Sequence, residues 1–554
     1  MFSESQIQST NLCVSLRERL LHMRVYRHWS PPTCLARTLG INTLNDNVLL
    51  IIFNHYRLDN EINWNIRVGW CNLSQVCGRW RHLVYGSAFY PGLQTLCTNG
   101  TPLVDTLVHL PPLLLVMDYQ HATATSIDAQ DKLGIFQAFQ LRDRLHRVVL
   151  HIPPSILHRL LLLMDENVSE PSAVLSHLSL SSSVGEGTIL LLSKTLLATN
   201  LHHLTLLGIG LPKKMVFLSS TVSLVTLTLA NIQDFSYFLP QHLIARLRSF
   251  SQLEGLSIGF SVPLPRPSTE RELLQDIEAP VTLPSLKRLT FRGVSIYFHS
   301  FVAQIRAPLL KQLSITLFNQ IHFALPHLSH FTDTAEGLRL PIAKIIFKPD
   351  AVSIVTDQRE QQAGDGSSSF SLHLMCRQFD WQIDSAAQIC SALVTTLFGI
   401  EQLSLEFEGQ TVSVDWQDNA VDATTWRELL GPFTGAGKLR IGRALSWELS
   451  CALEWAEMGS DPGLLPNLEE LAAELEEEHA DNAFMSFIEA RQAAGRPILL
   501  SIPHKQSVPR QQSVPRPQPV PHEQFVPRQQ SVPHEQSVPR RQSVPLLGMH
   551  RVTS

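Results

Sequence analysis

The segment Gly431–Lys438 has the residue types that could bind a phosphate, because it holds three glycines and ends in a lysine. A phosphate loop needs glycine as its first residue and a hydroxyl residue after the lysine. If Lys438 is the lysine of such a loop, the loop spans residues 432–439. Its first position is then Pro432 instead of glycine, and the residue after the lysine is Leu439 instead of a hydroxyl residue. The pattern therefore favours a turn in front of a strand, Leu439–Ile441, over a nucleotide site.

Other chemistry is equally poorly supported by spacing. His479 lies beside several glutamates but lacks the His-Glu-x-x-His spacing of a zinc site, so the glutamates indicate a solvated helix face. His202 and His203 lie inside a strand-like pattern and are interpreted as structural. No nucleophile elbow or dinucleotide fingerprint occurs. We expect a protein without catalysis, cofactor or metal, while an enzyme of unknown type stays an unsupported alternative.

Composition and charge narrow the class of partner. The chain has 554 residues, of which 44% are hydrophobic and 17% charged, which predicts a large core. Residues 501–554 carry a charge of +5 and the rest −10, which sum to the net −5. An acidic body argues against nucleic-acid binding. No membrane span and no secretion signal is apparent, and eight sparse cysteines fit a reducing compartment, so a cytoplasmic and/or nuclear location is expected.

Four regions are predicted from these patterns. Residues 1–40 form a loosely ordered lead-in, with a short helix-like stretch at 16–25. Residues 41–95 are helical, and residues 96–500 are leucine-rich with many short strands. Residues 501–554 repeat a proline-containing hexapeptide and are predicted to be disordered, with a multivalent docking strip as the alternative to repeat expansion without function.

The leucine-rich region repeats the pattern Leu-x-x-Leu-x-apolar seven times. The central leucines of these copies are mostly 23 to 33 residues apart, near the range of leucine-rich repeats. The copies begin at Leu175, Leu201, Leu224, Leu253, Leu286, Leu310 and Ile400. Each copy is predicted to be a strand, with helix-like stretches such as 238–247 returning the chain, and with further copies near 342–347 and 370–375. The acidic stretch Asn467–Ala490 is predicted to be a capping helix.

The helical region carries two motifs in order. The first is Leu44–Phe53, with Asn45 or Asp46 as helix cap, and the second is Leu73–Arg81, which contains Val76-Cys77-Gly78-Arg79-Trp80-Arg81. Together they resemble an F-box, although Asn45 stands where that family has proline and Asn47 where it has glutamate. With the segment that follows, the chain is similar to F-box proteins of mushroom-lineage fungi.

Together with the leucine repeats and the proline-rich tail, the resemblance predicts an α/β chain made of a small F-box-like helical domain, an irregular leucine-rich repeat solenoid and a disordered tail. It implies an adaptor of an SCF-type ubiquitin ligase, which docks on a Skp-type linker protein and through it on cullin, and which holds a protein substrate on its repeats. The implied docking residues are Leu44, Val48, Leu49, Ile52, Phe53, Val76 and Trp80. The alternative is a leucine-rich repeat scaffold without a ubiquitin ligase role, in which the helices are only a cap.

Overall fold

A computed structural model describes most of the chain between Leu44 and Ser501. The described residues are 44–61, 73, 76–86, 94–100, 113–120, 127–167, 174–182, 199–212, 215–261, 280–318, 326–338, 341–357, 368–409, 423–457, 464–474 and 484–501. The predicted lead-in 1–40, the helix-like stretch within it, and the tail 502–554 lie outside these residues.

Two helices open the described chain. Helix α1 spans Asp46–Glu61 and helix α2 spans Gly78–Gly86. Asn45 caps α1, because its side-chain Oδ1 accepts a hydrogen bond from the backbone amide of Val48 at 3.0 Å. The prediction of a cap at this position is confirmed.

All but two of the described strands belong to one sheet of sixteen strands, so the protein is mixed α/β. The strands, in chain order, are β1 (Gln94–Thr98), β2 (Leu114–Gln120), β3 (Leu145–His151), β4 (His177–Ser181), β5 (His203–Leu207), β6 (Thr226–Ile232), β7 (Gly255–Phe260), β9 (Arg288–Gly293), β11 (Gln312–Leu317), β12 (Ile342–Lys348), β13 (Ala351–Asp357), β14 (Ser369–Met375), β15 (Gln402–Phe407), β16 (Lys438–Ile441), β17 (Glu470–Ala473) and β18 (Leu499–Ser501). A second, two-stranded sheet pairs β8 (Val281–Thr282) with β10 (Ile305–Arg306).

The seven leucine motifs all lie at strands of the large sheet. The second and third apolar residues of each motif are two positions apart, so they point to the same face of the sheet, where they are buried. The central leucines are direct neighbours across six parallel strands, in the order Leu178, Leu204, Leu227, Leu256, Leu289 and Leu313. The strand prediction is confirmed for these copies, and the register explains why their leucines recur.

One part of the sheet departs from sequential order. The strands lie in the order β11-β14-β13-β12-β15. After β11 the chain skips two strand positions and forms β12 at the third, and then β13 and β14 fill the two skipped positions. Strand β13 is antiparallel to both neighbours, whereas every other pairing in the large sheet is parallel. The stretches predicted near 342–347 and 370–375 are indeed strands. The meander that they form accounts for the 90 residues between Leu313 and Leu403, the central leucines of the last two motif copies.

Helices connect many of the strands. They are α3 (Ala129–Gln140), α4 (Pro154–Asn167), α5 (Pro240–Leu247), α6 (Ser295–Val302), α7 (Pro326–Asp333), α8 (Phe379–Ala392), α9 (Val394–Leu397), α10 (Ala423–Leu430), α11 (Ser446–Glu457) and α12 (Met485–Ala493). Helix α5 confirms the return helix predicted at 238–247. Within the described part of the chain, no helix combines the length and the apolar character that crossing a membrane requires.

The predicted acidic helix Asn467–Ala490 is wrong in its first part. Residues Glu470–Ala473 form strand β17, which pairs with both β16 and β18. Leu468, Leu471 and Ala473 are buried, with the spacing of the other strand motifs, while the glutamates between them face outward. Burial of alternate residues in a parallel sheet outweighed the helical propensity of glutamate. A helix begins only at Met485, behind residues 475–483, which lie outside the described ones.

Candidate functional site

The F-box-like region is a pair of packed helices. An ion pair of 2.6 Å between Arg79 and Asp46 links α2 to the first turn of α1. The Arg79 guanidinium also donates to the backbone carbonyl of Leu44 at 2.6 Å. Both charged side chains are substantially exposed, so the ion pair orients the helices but adds little stability.

The inner side of this helix pair is a small apolar core. Leu49 and Phe53 of α1 are buried together with Trp80 and Val84 of α2, and the rings of Phe53 and Trp80 lie 4.8 Å apart. Leu113, the residue before β2, completes the same cluster. The core therefore joins the two helices to the start of the large sheet.

The outer side of α1 is also apolar, but it is exposed. Val48, Ile51 and Ile52 are 39%, 58% and 40% exposed and lie at i, i+3 and i+4, so they share one stripe of the helix. Val76, shortly before α2, is 58% exposed. An exposed apolar stripe on a helix whose other side is already packed has the character of a docking surface. We call Val48, Ile51 and Ile52 the outer stripe.

The residues predicted for docking divide between these two sides. Val48 and Ile52 lie in the outer stripe and Val76 is exposed shortly before α2, as a surface role requires. Leu49, Phe53 and Trp80 instead belong to the core, because each is less than a tenth exposed, and Leu44 is half-buried against it. Ile51 was missed, since a helix that is apolar almost all round does not reveal in the sequence which side is covered.

The glycine-rich segment Gly431–Lys438 is a turn, as its sequence favoured. It leads into strand β16, and an added Cβ at Gly435 would collide with the backbone carbonyl of Phe398 and lie 3.2 Å from that of Ile400. Backbone carbonyls therefore lie against the turn at this glycine. They would repel a phosphate at this position.

Strand-borne histidines take part in the packing of the sheet. The Nδ1 of His203 lies 2.7 Å from the hydroxyl of Thr226 on the next strand. Partial burial lowers the pKa of His203, and the charges of His202 and Arg147 lower it further. This favours the neutral ring and agrees with a structural role. His479 lies outside the described residues.

Metal and thiol chemistry find little support in the described part of the chain. No group of three or more His, Cys, Asp or Glu side chains there could hold a metal ion. Burial raises the pKa of Cys97 to about 12 and also raises the pKa of Cys376 and Cys390. Such thiols are protonated at neutral pH and are weak nucleophiles.

The outer stripe is thus the feature of the helix pair that is best suited to contact another molecule. No protein-family model matches this chain, and no curated protein matches it.

Proposed function

We propose that this protein is a substrate-recognition adaptor of an SCF-type ubiquitin ligase. In this proposal the helix pair α1 and α2 is an F-box that docks on a Skp-type linker protein, and through it on cullin. The large sheet with its connecting helices is an irregular leucine-rich repeat body that binds a protein substrate. The adaptor itself does no chemistry, but it turns ubiquitin transfer into an effectively intramolecular step.

The observation that carries the proposal is the outer stripe. About half of the surface of each of these side chains is already buried, so covering the rest on a partner would contribute about 1 kcal/mol for each. The motif order Leu44–Phe53 and Leu73–Arg81 and the in-register leucines of β4 to β11 support the F-box and repeat interpretations.

The proposal predicts that Ile51→Asp abolishes linker binding without unfolding the protein. A charge at a residue that is 58% exposed is tolerated in the free protein but cannot be buried unpaired in a complex. The measurement is a titration of the full chain with a purified Skp-type linker protein. We expect Ile51→Asp to weaken binding at least about a hundredfold, the size of an interface hot spot.

Leu309→Asp is the matched control, because Leu309 is 55% exposed and lies far along the chain from the outer stripe. It should bind the linker as the unaltered protein does. Equal binding by Ile51→Asp and Leu309→Asp would reject docking through the outer stripe. A substitution at Leu49 would be a poor test, since it would disrupt the core of the helix pair.

A second candidate, a repeat scaffold for which the helices are only a cap, is favoured by Leu113. This residue is 2% exposed and belongs to the core of the helix pair although it directly precedes strand β2 of the sheet. In that case the helices would stabilise the sheet and bind no linker. Removing the helices separates the two candidates, because only helices that act as a structural cap are needed for the sheet to fold.

A further inference from the structure

The face of the sheet opposite the buried leucines carries two rows of polar side chains. One row holds seven hydroxyl residues that are direct neighbours on adjacent parallel strands: Ser179, Thr205, Thr228, Ser257, Thr290, Ser314 and Ser371. The row beside it, two residues earlier on each strand, consists of His177, His203, Thr226, Gly255, Arg288, Gln312 and Ser369. We call these fourteen positions the hydroxyl face.

Arg288 differs from the paired cations that this side of the sheet carries on strands β12 to β17. On strands β12 to β17, lysine and arginine are neutralised by glutamates: Lys344 by Glu406 at 2.7 Å, Lys348 by Glu408 at 2.6 Å, Lys438 by Glu470 at 2.7 Å and Arg440 by Glu474 at 2.9 Å. Arg288 forms no ion pair with any described residue, and the hydroxyl face contains no aspartate or glutamate. Its guanidinium is therefore an exposed, uncompensated charge.

A cavity lies beside this guanidinium. Its volume is about 260 Å³, and its polar lining comes from Thr226, Thr228, Ser257, Arg288, Thr290, Gln312, Ser314 and Ser369. Gly255 leaves the space open, because a Cβ there would lie 3.4 Å from Thr226 Cγ2 and 3.5 Å from a terminal nitrogen of Arg288. One cation thus borders a cavity ringed by hydroxyl and amide groups that can donate hydrogen bonds.

We propose that this cavity binds a carboxylate side chain of an acidic, extended protein segment. A guanidinium and a carboxylate form paired hydrogen bonds in a fixed geometry, and the hydroxyls around it can satisfy the remaining oxygen lone pairs. A single cation in the cavity matches the single charge of a carboxylate. A phosphorylated side chain carries a charge of about −1.5 to −2 at neutral pH, which is more than one guanidinium neutralises. The nearest other arginine on the strand, Arg292, is four residues away and lies over the Phe318 ring.

That the bound segment belongs to a substrate of the adaptor rests on the proposed function. The carboxylate site itself depends only on the residues of the hydroxyl face and not on the adaptor role. The two ideas fail separately. If the unaltered chain binds the acidic peptide but not the linker, the adaptor role alone is rejected. The reverse result would reject the carboxylate site alone.

The test measures peptide binding to the full chain by fluorescence anisotropy at physiological salt. The probe is a short labelled peptide of alternating serine and glutamate. Two companion peptides replace each glutamate by glutamine or by phosphoserine. We expect the glutamate peptide to bind best and Arg288→Gln to weaken its binding at least about tenfold, as loss of a charge-assisted pair implies. Arg440→Gln changes the net charge equally, but the cation that it removes is already paired with Glu474. The affinity of this variant for the glutamate peptide should therefore stay within about twofold of that of the unaltered protein.

Several outcomes would overturn the proposal. Equal binding of the glutamine peptide would show that charge is not recognised. Equal losses for Arg288→Gln and Arg440→Gln would show a diffuse electrostatic effect rather than this cavity. Tighter binding of the phosphoserine peptide would reject the carboxylate as the ligand, and no binding of the glutamate peptide would reject the site.

Discussion

At the scale of single residues, two charged side chains away from the proposed surfaces illustrate how burial is tolerated. Arg491 of α12 is fully buried, yet its guanidinium donates to the backbone carbonyls of Leu464, Leu465 and Leu468 at 3.2–3.4 Å. Glu448 of α11 has a buried carboxylate oxygen, Oε2, that finds no hydrogen-bond partner among the described residues. Arg491 therefore binds together the turn before β17, whereas Glu448 weakens the fold when it is ionised.

Glu448 predicts a pH dependence of stability. Desolvation raises its pKa from 4.5 to about 7. The folded state therefore holds this proton more tightly than the unfolded state, and the free energy of unfolding falls as pH rises from about 4.5 to 7. Because the group is partly exposed, we expect a loss of only about 1–2 kcal/mol. Urea unfolding at pH 5 and pH 8 measures it.

Glu448→Gln should raise the free energy of unfolding at pH 8 by that amount and leave it nearly unchanged at pH 5. Glu469→Gln, at an exposed glutamate, is the control and should act alike at both pH values. A gain from Glu448→Gln that is equal at pH 5 and pH 8 would contradict the argument from desolvation.

At the scale of elements, the sequence predicted best where burial follows a regular period. The seven leucine copies became strands because alternate leucines must face one side. Strand β3 was missed although it reads Leu145-x-x-Val148-x-Leu150, since valine replaces the central leucine. Strand β17 was mistaken for a helix because its glutamates masked the same spacing. The order β14-β13-β12 could not be predicted, because strand pairing over such distances leaves no mark on local periodicity.

The candidate docking site shows a similar limit. Helix α1, its Asn45 cap and the apolar excess were predictable from residue types and spacing. The assignment of Leu49 and Phe53 to the core and of Ile51 to the surface was not, because it depends on where Trp80 and Leu113 lie in space. Likewise, Arg288 in the sequence is one arginine among many, and only the register across strands sets it apart.

The meander predicts a distinctive pattern of hydrogen exchange. Strand β13 is paired along its length with both β12 and β14, and Val352 and Ile354 are buried. Its amides should exchange about as slowly as those of β11. Strand β18 pairs only with β17 among the described strands, and Leu499 is 69% exposed, so its amides should exchange fastest. Mass spectrometry of peptic fragments measures both, and fast exchange throughout Ala351–Asp357 would contradict this strand order.

At the scale of the whole molecule, the two proposed surfaces lie on elements that have separate hydrophobic cores. The core of the helix pair consists of Leu49, Phe53, Trp80 and Val84. Among the described residues, Leu113 is the one buried member of this cluster that borders a strand of the sheet. The core of the sheet begins at Cys97 and continues to Ile498 without these residues. Removing the helices should therefore leave the large core intact. The sequence-based boundary at residue 95 is unsuitable for this cut, because it falls inside β1 (Gln94–Thr98).

Deletion of residues 1–93 tests this separation. Because the cut removes the cover of Leu113, we expect the free energy of unfolding to fall by about 2 kcal/mol, the value of one buried leucine side chain. The melting temperature would fall by roughly 2–4 °C, and the truncated chain would still unfold cooperatively. It should lose all binding to the Skp-type linker and keep its affinity for the glutamate peptide. The intact chain carrying Ile51→Asp is the matched control, since it should lose linker binding with no change in melting temperature. A truncated chain that fails to fold would instead establish the helices as a structural cap, because the sheet would then depend on contacts that only they supply.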